Sequence, residues 1–174
     1  MPTEQVVGGS IPPGRINFSI PNMNKIEQIY MREALKEAQK AAQEDEVPVG
    51  CVIVHEKKVI ARAHNQVERL KDPTAHAEML ALTSAANYLG TKWLNGVSVY
   101  VTIEPCSMCS GALVLARIKT LFYGASDPKT GACGSVFNIV NNKKLNHRIK
   151  VHKGLLNQEC GLLLSQFFKK KRKK

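Results

Sequence analysis

The sequence predicts an α/β protein, a three-layer α/β/α sandwich, from three observations. Runs rich in β-branched residues alternate with runs whose apolar residues recur at three- and four-residue spacing. That alternation fills the middle of the chain without internal repeat, which points to a sheet, partly parallel, with helices on its faces. A length of 174 residues suits one domain with a sizeable core.

Residues 1–24 contain Gly8-Gly9, Pro12-Pro13-Gly14 and Pro21 with little periodicity, and read as a flexible arm. Asn24 with Glu27 resembles a capping box that starts a helix to about Glu44, with Met31, Ala34, Leu35, Ala38, Ala41 and Ala42 as its apolar stripe. Val49–Val54 and Val59–Ala63 read as strands joined by the polar turn His55-Glu56-Lys57-Lys58. A second helix starts near His76, places Met79, Leu82, Ala86 and Leu89 on one face, and stops at Gly90. Val97–Ile103 alternates as a strand, and a helix after Pro105 buries Cys109, Ala112, Leu113 and Ala116. Thr120–Ala125 is a further strand and Asp127–Gly134 a loop. A last helix runs from about Leu155 to Phe168, with Leu156, Cys160, Leu163 and Phe167 on one side. The domain is therefore drawn over residues 25–168, with a basic tail at 169–174.

Hydrophobic residues make up 44% of the chain, which excludes disorder from end to end. The longest uninterrupted apolar run, Ala112–Ala116, has only five residues, far short of the roughly 18 a membrane span needs. No secretory signal is visible in the polar N-terminus, so the chain is expected to be soluble and intracellular. The net charge of +11 is unevenly placed: residues 139–174 hold 11 basic side chains and one acidic, Glu159. Six of the basic ones form the closing run Lys169–Lys174. Such a block favours polyanions through counterion release and steering, although it also serves as a merely solvated tail.

The five cysteines, an odd number with no signal peptide, argue against a disulfide framework and for a reducing compartment. Cys51, Cys133 and Cys160 have small or apolar neighbours and read as core thiols. Cys106-Ser107-Met108-Cys109 alone has ligand-like spacing, and it pairs with an upstream His76-Ala77-Glu78. Two sulfurs three residues apart at a helix start share one face, and the helix N-terminus favours their thiolates. Two thiolates and an imidazole suit Zn²⁺. His55, His64, His147 and His152 are scattered without a partner, so no fourth ligand is evident. Three protein ligands leave a position for water, as in a catalytic site, whereas a structural site is closed by four. A CxxC alone also fits half a structural zinc site or a redox pair, but redox use gives His76 and Glu78 no role.

Within a regular helix His76 and Glu78 would point about 200° apart. Both reach one cavity only if His76 sits at the non-helical cap and Glu78 in the first turn. A carboxylate there can move the proton of a metal-activated water; alternatively Glu78 is only an acid favoured by the helix dipole.

The pattern His76-Ala77-Glu78 with Pro105-Cys106-x-x-Cys109 resembles the zinc nucleobase deaminases of the cytidine deaminase-like superfamily. Over roughly Lys25 to Phe168 the chain is most similar to the bacterial tRNA-specific adenosine deaminases. Supporting segments are Glu46–Gly50, His64-Asn65, Asp72–Glu78, Thr102–Cys106, Gly124–Gly131, Leu145–Arg148 and Phe167-Phe168. The resemblance implies a central mixed five-stranded sheet, and one Zn²⁺ per subunit on His76, Cys106 and Cys109. It implies Glu78 as proton shuttle and Asn65 as a hydrogen-bond partner of the flipped base or its ribose. It places Asp127 and Lys129 where a loop meets RNA, and Phe167 and Phe168 near the anticodon-loop surface; Phe167 falls on the apolar helix face and reads as core, so Phe168, off that face, is the stacking candidate. It further implies a cytoplasmic homodimer whose partner subunit lines part of the site, tRNA through its anticodon stem-loop as partner, and no organic cofactor. The chain departs from the family in its N-terminal arm, its basic tail, Cys51 where a small residue such as Ala is usual and Asn141-Asn142 where His is common.

The expected reaction is hydrolytic deamination of wobble adenosine to inosine, because an unpaired loop base is cheap to extrude. The alternative is a deaminase of a free base or nucleoside, of guanine or cytosine type, with the same zinc centre. A non-catalytic RNA-binding protein with structural zinc is the third reading; it predicts a closed shell and no role for Glu78.

Overall fold

A computed structural model of the chain describes residues 25–173. The expected N-terminal arm, Asn24 of the capping box and Lys174 lie outside them. Helix α1 spans Lys25–Gln43 and buries Met31, Ala34, Leu35, Ala38 and Ala41 of the expected stripe, with Ala42 half-buried. Strands β1 (Gly50–His55) and β2 (Lys58–His64) form an antiparallel hairpin. Its turn is tighter than the sequence suggests: His55 and Lys58 still pair, and only Glu56 and Lys57 turn, both at positive φ (47° and 63°). Two consecutive left-handed residues match the twist of the strands, even where neither is Asn or Gly.

After the short helix α2 (Val67–Leu70), which carries no buried residue and gave no periodic signal, come α3 (Ala77–Leu89), β3 (Ser98–Ile103), α4 (Ser107–Leu115) and β4 (Thr120–Ala125). Gly90 ends α3 in the left-handed conformation (φ 65°), its N–H returning to Ala86 and Asn87. Strand β5 (Lys150–Lys153) and helix α5 (Asn157–Lys171) complete the chain. The boundary drawn at Phe168 therefore falls inside α5, and Lys169–Lys171 are its last turn.

The sheet has the order β2-β1-β3-β4-β5. β1 runs antiparallel to β2 and β3, whereas β3, β4 and β5 are mutually parallel. It is the mixed five-stranded sheet that the resemblance implied. Side chains alternate between two faces, as the pleat requires. Cys51, Ile53, Val99, Val101, Leu121 and Tyr123 join α3 and α4 in one core. Val52, Val54, Tyr100 and Phe122 join α1 and α5 in the other. The three layers follow from that alternation.

β5 was not visible as a strand because Lys150-Val151-His152-Lys153 holds a single apolar residue. A cross-strand ladder secures it. Tyr100 and Phe122 stack with centroids 4.6 Å apart, and Phe122 and His152 stack at 4.7 Å, on directly opposed residues of β3, β4 and β5. Tyr30 of α1 tilts onto Tyr100 at 5.2 Å and ties the helix to the same ladder.

Helix α1 lies so close to β1 that a Cβ at Gly50 would stand 1.9 Å from the carbonyl oxygen of Ala34 and 2.5 Å from the amide of Ala38. Backbone cannot yield there as a side chain does. Gly50→Ala is therefore expected to cost about 3 kcal/mol, the upper part of the range for overpacking. Gly111→Ala in α4, where an added methyl meets nothing within 4 Å, should instead stabilise by about 0.5 kcal/mol. Urea midpoints of the two variants, measured beside the parent, check both signs.

Candidate metal centre and active site

The parallel strands β3 and β4 end at the same edge of the sheet, where β1 begins and β2 finishes, and open α/β sheets bind ligands at such an edge. The N-termini of α3 and α4 start there too. His76 is the N-cap of α3, in extended conformation (φ −73°, ψ 151°), and Glu78 lies in the first helical turn. This is the arrangement that their two-residue spacing demanded. Cys106 is likewise the extended N-cap of α4 (φ −71°, ψ 176°), with Cys109 in the first turn.

The ligand atoms of His76, Cys106 and Cys109 lie within 4.8 Å of one another, the only such cluster of three among the described residues. His76 Nδ1 is 3.7 Å from Cys106 Sγ and 3.6 Å from Cys109 Sγ. A tetrahedron with the usual zinc–nitrogen and zinc–sulfur bond lengths has an N···S edge of about 3.6 Å. The donor set and its spacing thus fit Zn²⁺.

Charge at the cluster follows its contacts. The hydrogen bond from Cys109, aided by His76, pushes the Cys106 thiol down to about 4. The same contact raises Cys109, since a second negative sulfur beside the first is opposed. The Cys106 hydrogen bond raises His76. Glu78 is 3% exposed, and burial pushes its carboxyl up to about 7. Its Oε2 is a buried polar atom with no hydrogen-bond partner. A native interior pairs nearly all such atoms, so an orphaned oxygen beside a metal cluster marks a place for a ligand.

These residues open into a cavity of ≈ 910 Å³, whose lining includes Asn65, His76, Glu78, Asp127, Lys129 and Phe168. Cys109 is buried behind it. Asn65 Oδ1 accepts the amide of Ala77 (2.9 Å), so the residue caps α3 and keeps only its Nδ2 to donate to a ligand. The Asp127 carboxylate is turned on its own loop. Oδ1 accepts the amides of Lys129 (2.9 Å) and Thr130 (3.2 Å), and Oδ2 accepts the Thr130 hydroxyl (2.5 Å). Burial works against its charge, but those hydrogen bonds outweigh it and hold the carboxyl below its ordinary value. Lys129 is exposed. Phe167 is buried and Phe168 is 43% exposed, their rings edge-to-face at 5.5 Å. Of the basic run, Lys171 reaches the cavity, pairing with Asp45 (2.7 Å) and lying over the Phe167 ring.

Three of the histidines read as partnerless prove to be engaged elsewhere. His64 bridges Glu37 (3.3 Å) and Glu44 (3.1 Å), His147 Nε2 meets the carbonyl of Ile118 (2.6 Å), and His152 belongs to the aromatic ladder. Cys51, Cys133 and Cys160 are buried, as expected of core thiols. Residue patterns missed two other members of the site, Glu46 and Glu104, each 1% exposed. Glu46 accepts the amides of Glu68 (3.1 Å) and Arg69 (2.7 Å), capping α2 from a distance. Glu104 does the same for the loop after β4. A charged residue inside an otherwise apolar strand end, as in Thr102-Ile103-Glu104-Pro105, was the available signal.

Residues 25–172 match the model of the MafB19-like deaminases. The chain is 47% identical over 148 residues to a tRNA-specific adenosine deaminase of Bacillus subtilis, covering 85% of this chain and 92% of the relative. It is 52% identical over 145 residues to one of Aquifex aeolicus, covering 83% and 95%. Among solved structures, one from studies of A-to-I editing by tRNA:A34 deaminases at the wobble position of transfer RNA superposes with a TM-score of 0.76. It is 43% identical, with 78% of this chain and 99% of that chain covered. The protein NE0047 in complex with 2,6-diaminopurine superposes at 0.67, with 26% identity and coverage of 81% and 80%. The His/Cys/Cys cluster, the buried glutamate and the cavity all lie within the matched span, and this chain belongs to the MafB19-like deaminase family.

Proposed function

We propose that this protein hydrolyses the 6-amino group of the wobble adenosine in a tRNA anticodon, giving inosine and ammonia. The observation that carries the reading is the unpartnered, buried Glu78 Oε2 beside the His76–Cys106–Cys109 cluster. His76, Cys106 and Cys109 hold one zinc ion. Bound there, zinc supplies Lewis acidity, bringing the pKa of a water molecule down to about 7.

The chain's own groups do the rest. Asn65 Nδ2 orients the flipped base or its ribose while its Oδ1 stays on α3. Glu78 accepts the proton of the attacking water and delivers it to N1 of the purine ring as oxygen adds to C6. It then passes the second water proton to the departing amino group, and the C6–N bond breaks. Phe168 offers a stacking surface and Lys129 a cation beside the target nucleotide. Asp127 discriminates RNA from DNA at a neighbouring 2′-hydroxyl, through oxygen lone pairs that its loop contacts leave.

Identity of 45–52% to tRNA-specific adenosine deaminases supports this substrate over a free base. So does a cavity larger than a lone nucleobase needs, rimmed by exposed Phe168 and Lys129. The same reading includes a homodimer, and exposed Leu115, Val136 and Phe137 are apolar surface suited to a second copy. It sets the reaction in the cytoplasm, where thiol ligands stay reduced.

Zinc-loaded protein incubated with an anticodon stem-loop bearing wobble adenosine should form inosine. Product only from free adenine, guanine or cytosine compounds would overturn the RNA reading. Glu78→Ala should lower kcat at least about 100-fold while bound zinc, measured by elemental analysis, stays at one per chain. Chelation should abolish turnover and added zinc restore it; activity undiminished in metal-free protein refutes the centre. For Asp127→Asn, the ratio of kcat/KM on RNA and DNA hairpins should fall about tenfold, and an unchanged ratio removes Asp127 from discrimination.

A further inference from the structure

Glu104 takes no part in the chemistry above, yet its carboxylate organises one wall of the cavity. Oε2 accepts the amide of Asp127 (3.0 Å) and the hydroxyl of Ser135. Oε1 accepts the amides of Cys133 and Ser135, both at 3.0 Å. The donors come from the two ends of the segment 127–135, so a single side chain closes that loop. Gly131, midway, passes so near that a Cβ there would stand 2.5 Å from Glu104 Oε2 and from the carbonyl of Asp127. The residues following Glu104 add to the grip. Ala132 donates to the Pro105 carbonyl (2.8 Å), and Cys106 forms a β-bridge with Gly131. Only an ionised carboxylate offers acceptors in all four directions, since a glutamine would turn N–H groups onto N–H donors.

The loop so held is the one whose outer end bears Asp127 and Lys129. The Asp127 amide is fixed by Glu104, and its carboxylate braces residues 129 and 130. We infer that Glu104 is a positioning residue that sets the RNA-contacting loop in its binding conformation before substrate arrives. This rests on the reading of RNA as substrate. Loss of the carboxylate then weakens substrate capture and leaves the metal ligands in place.

The test uses zinc-loaded holoenzyme and the wobble-adenosine RNA stem-loop, comparing the parent with Glu104→Gln and Ser135→Ala. Glu104→Gln should raise KM about tenfold or more, with kcat within about threefold and one zinc per chain retained. Ser135→Ala, which removes one donor pair only, should raise KM by a smaller factor. Amide hydrogen exchange over 127–135 should quicken in both variants. In the double variant with Asp127→Asn, KM should rise by less than the product of the single effects. Unchanged KM with unchanged exchange would sink the inference, as would zinc loss or a fall in kcat alone. If Glu104→Gln does not fold, Ser135→Ala decides by the same two measurements. A parent protein that makes no inosine refutes the substrate reading instead, and the exchange measurement still judges the role of Glu104 in the loop.

Discussion

Negative charge gathered in a small buried space is the constraint that shapes this molecule. Glu46, Glu78 and Glu104 are each 3% exposed or less, and the Cys106 thiol, which its contacts with Cys109 and His76 push toward the anionic form, stands beside Glu78. Water would compensate such groups at a surface; here the backbone does it. Glu46 and Glu104 take up five amides and a hydroxyl between them. The cysteines sit at the start of α4 and Glu78 in the first turn of α3, where helix dipoles favour anions. Glu78 alone keeps an oxygen unpaired, and that residual imbalance is what a divalent cation and a polar substrate are suited to relieve.

The sheet exists in a form that makes this gathering possible. Both helices that carry the ligands start at the edge where β3 and β4 end, and both pack on the same face of the sheet. The opposite face is occupied by α1 and α5, drawn in closely by Gly50 on β1 and by an aromatic ladder across β3, β4 and β5. Because α1 is pinned there, Glu37 and Glu44 meet His64 just before Asn65. Because α5 is pinned there, Phe167, Phe168 and Lys171 end at the cavity. The two faces therefore divide the labour: one holds the His76–Cys106–Cys109 cluster, and the other furnishes the rim.

Helix α2 buries no side chain and the 127–135 loop buries only Ala132 and Cys133 of its apolar residues; a buried acid holds each. A hydrophobic anchor tolerates small shifts, whereas a carboxylate with two donors, as Glu46, or four, as Glu104, fixes direction as well as distance. Asp127 illustrates the economy: Glu104 fixes its amide, while its two oxygens fix the residues after it within one short turn.

Most of the architecture was open to reading in the sequence, because its signals are local. Four strands, the helices with clear apolar stripes and the end of α3 at Gly90 all follow from periodicity and from one glycine. The His76–Cys106–Cys109 cluster and Glu78 were legible for the same reason: His76-x-Glu78 and Cys106-x-x-Cys109 are short-range spacings that dictate which atoms can share a face. β5 and α2 were not, since each is held by neighbours distant in the chain and not by its own composition. The work of Glu46 and Glu104 and the partners of His64 depend on contacts spanning 20 to 31 residues. Local chemistry determined which groups this protein possesses; only the folding of the sheet decided which of them meet, because a hydrogen bond between remote residues leaves no trace in the spacing of either.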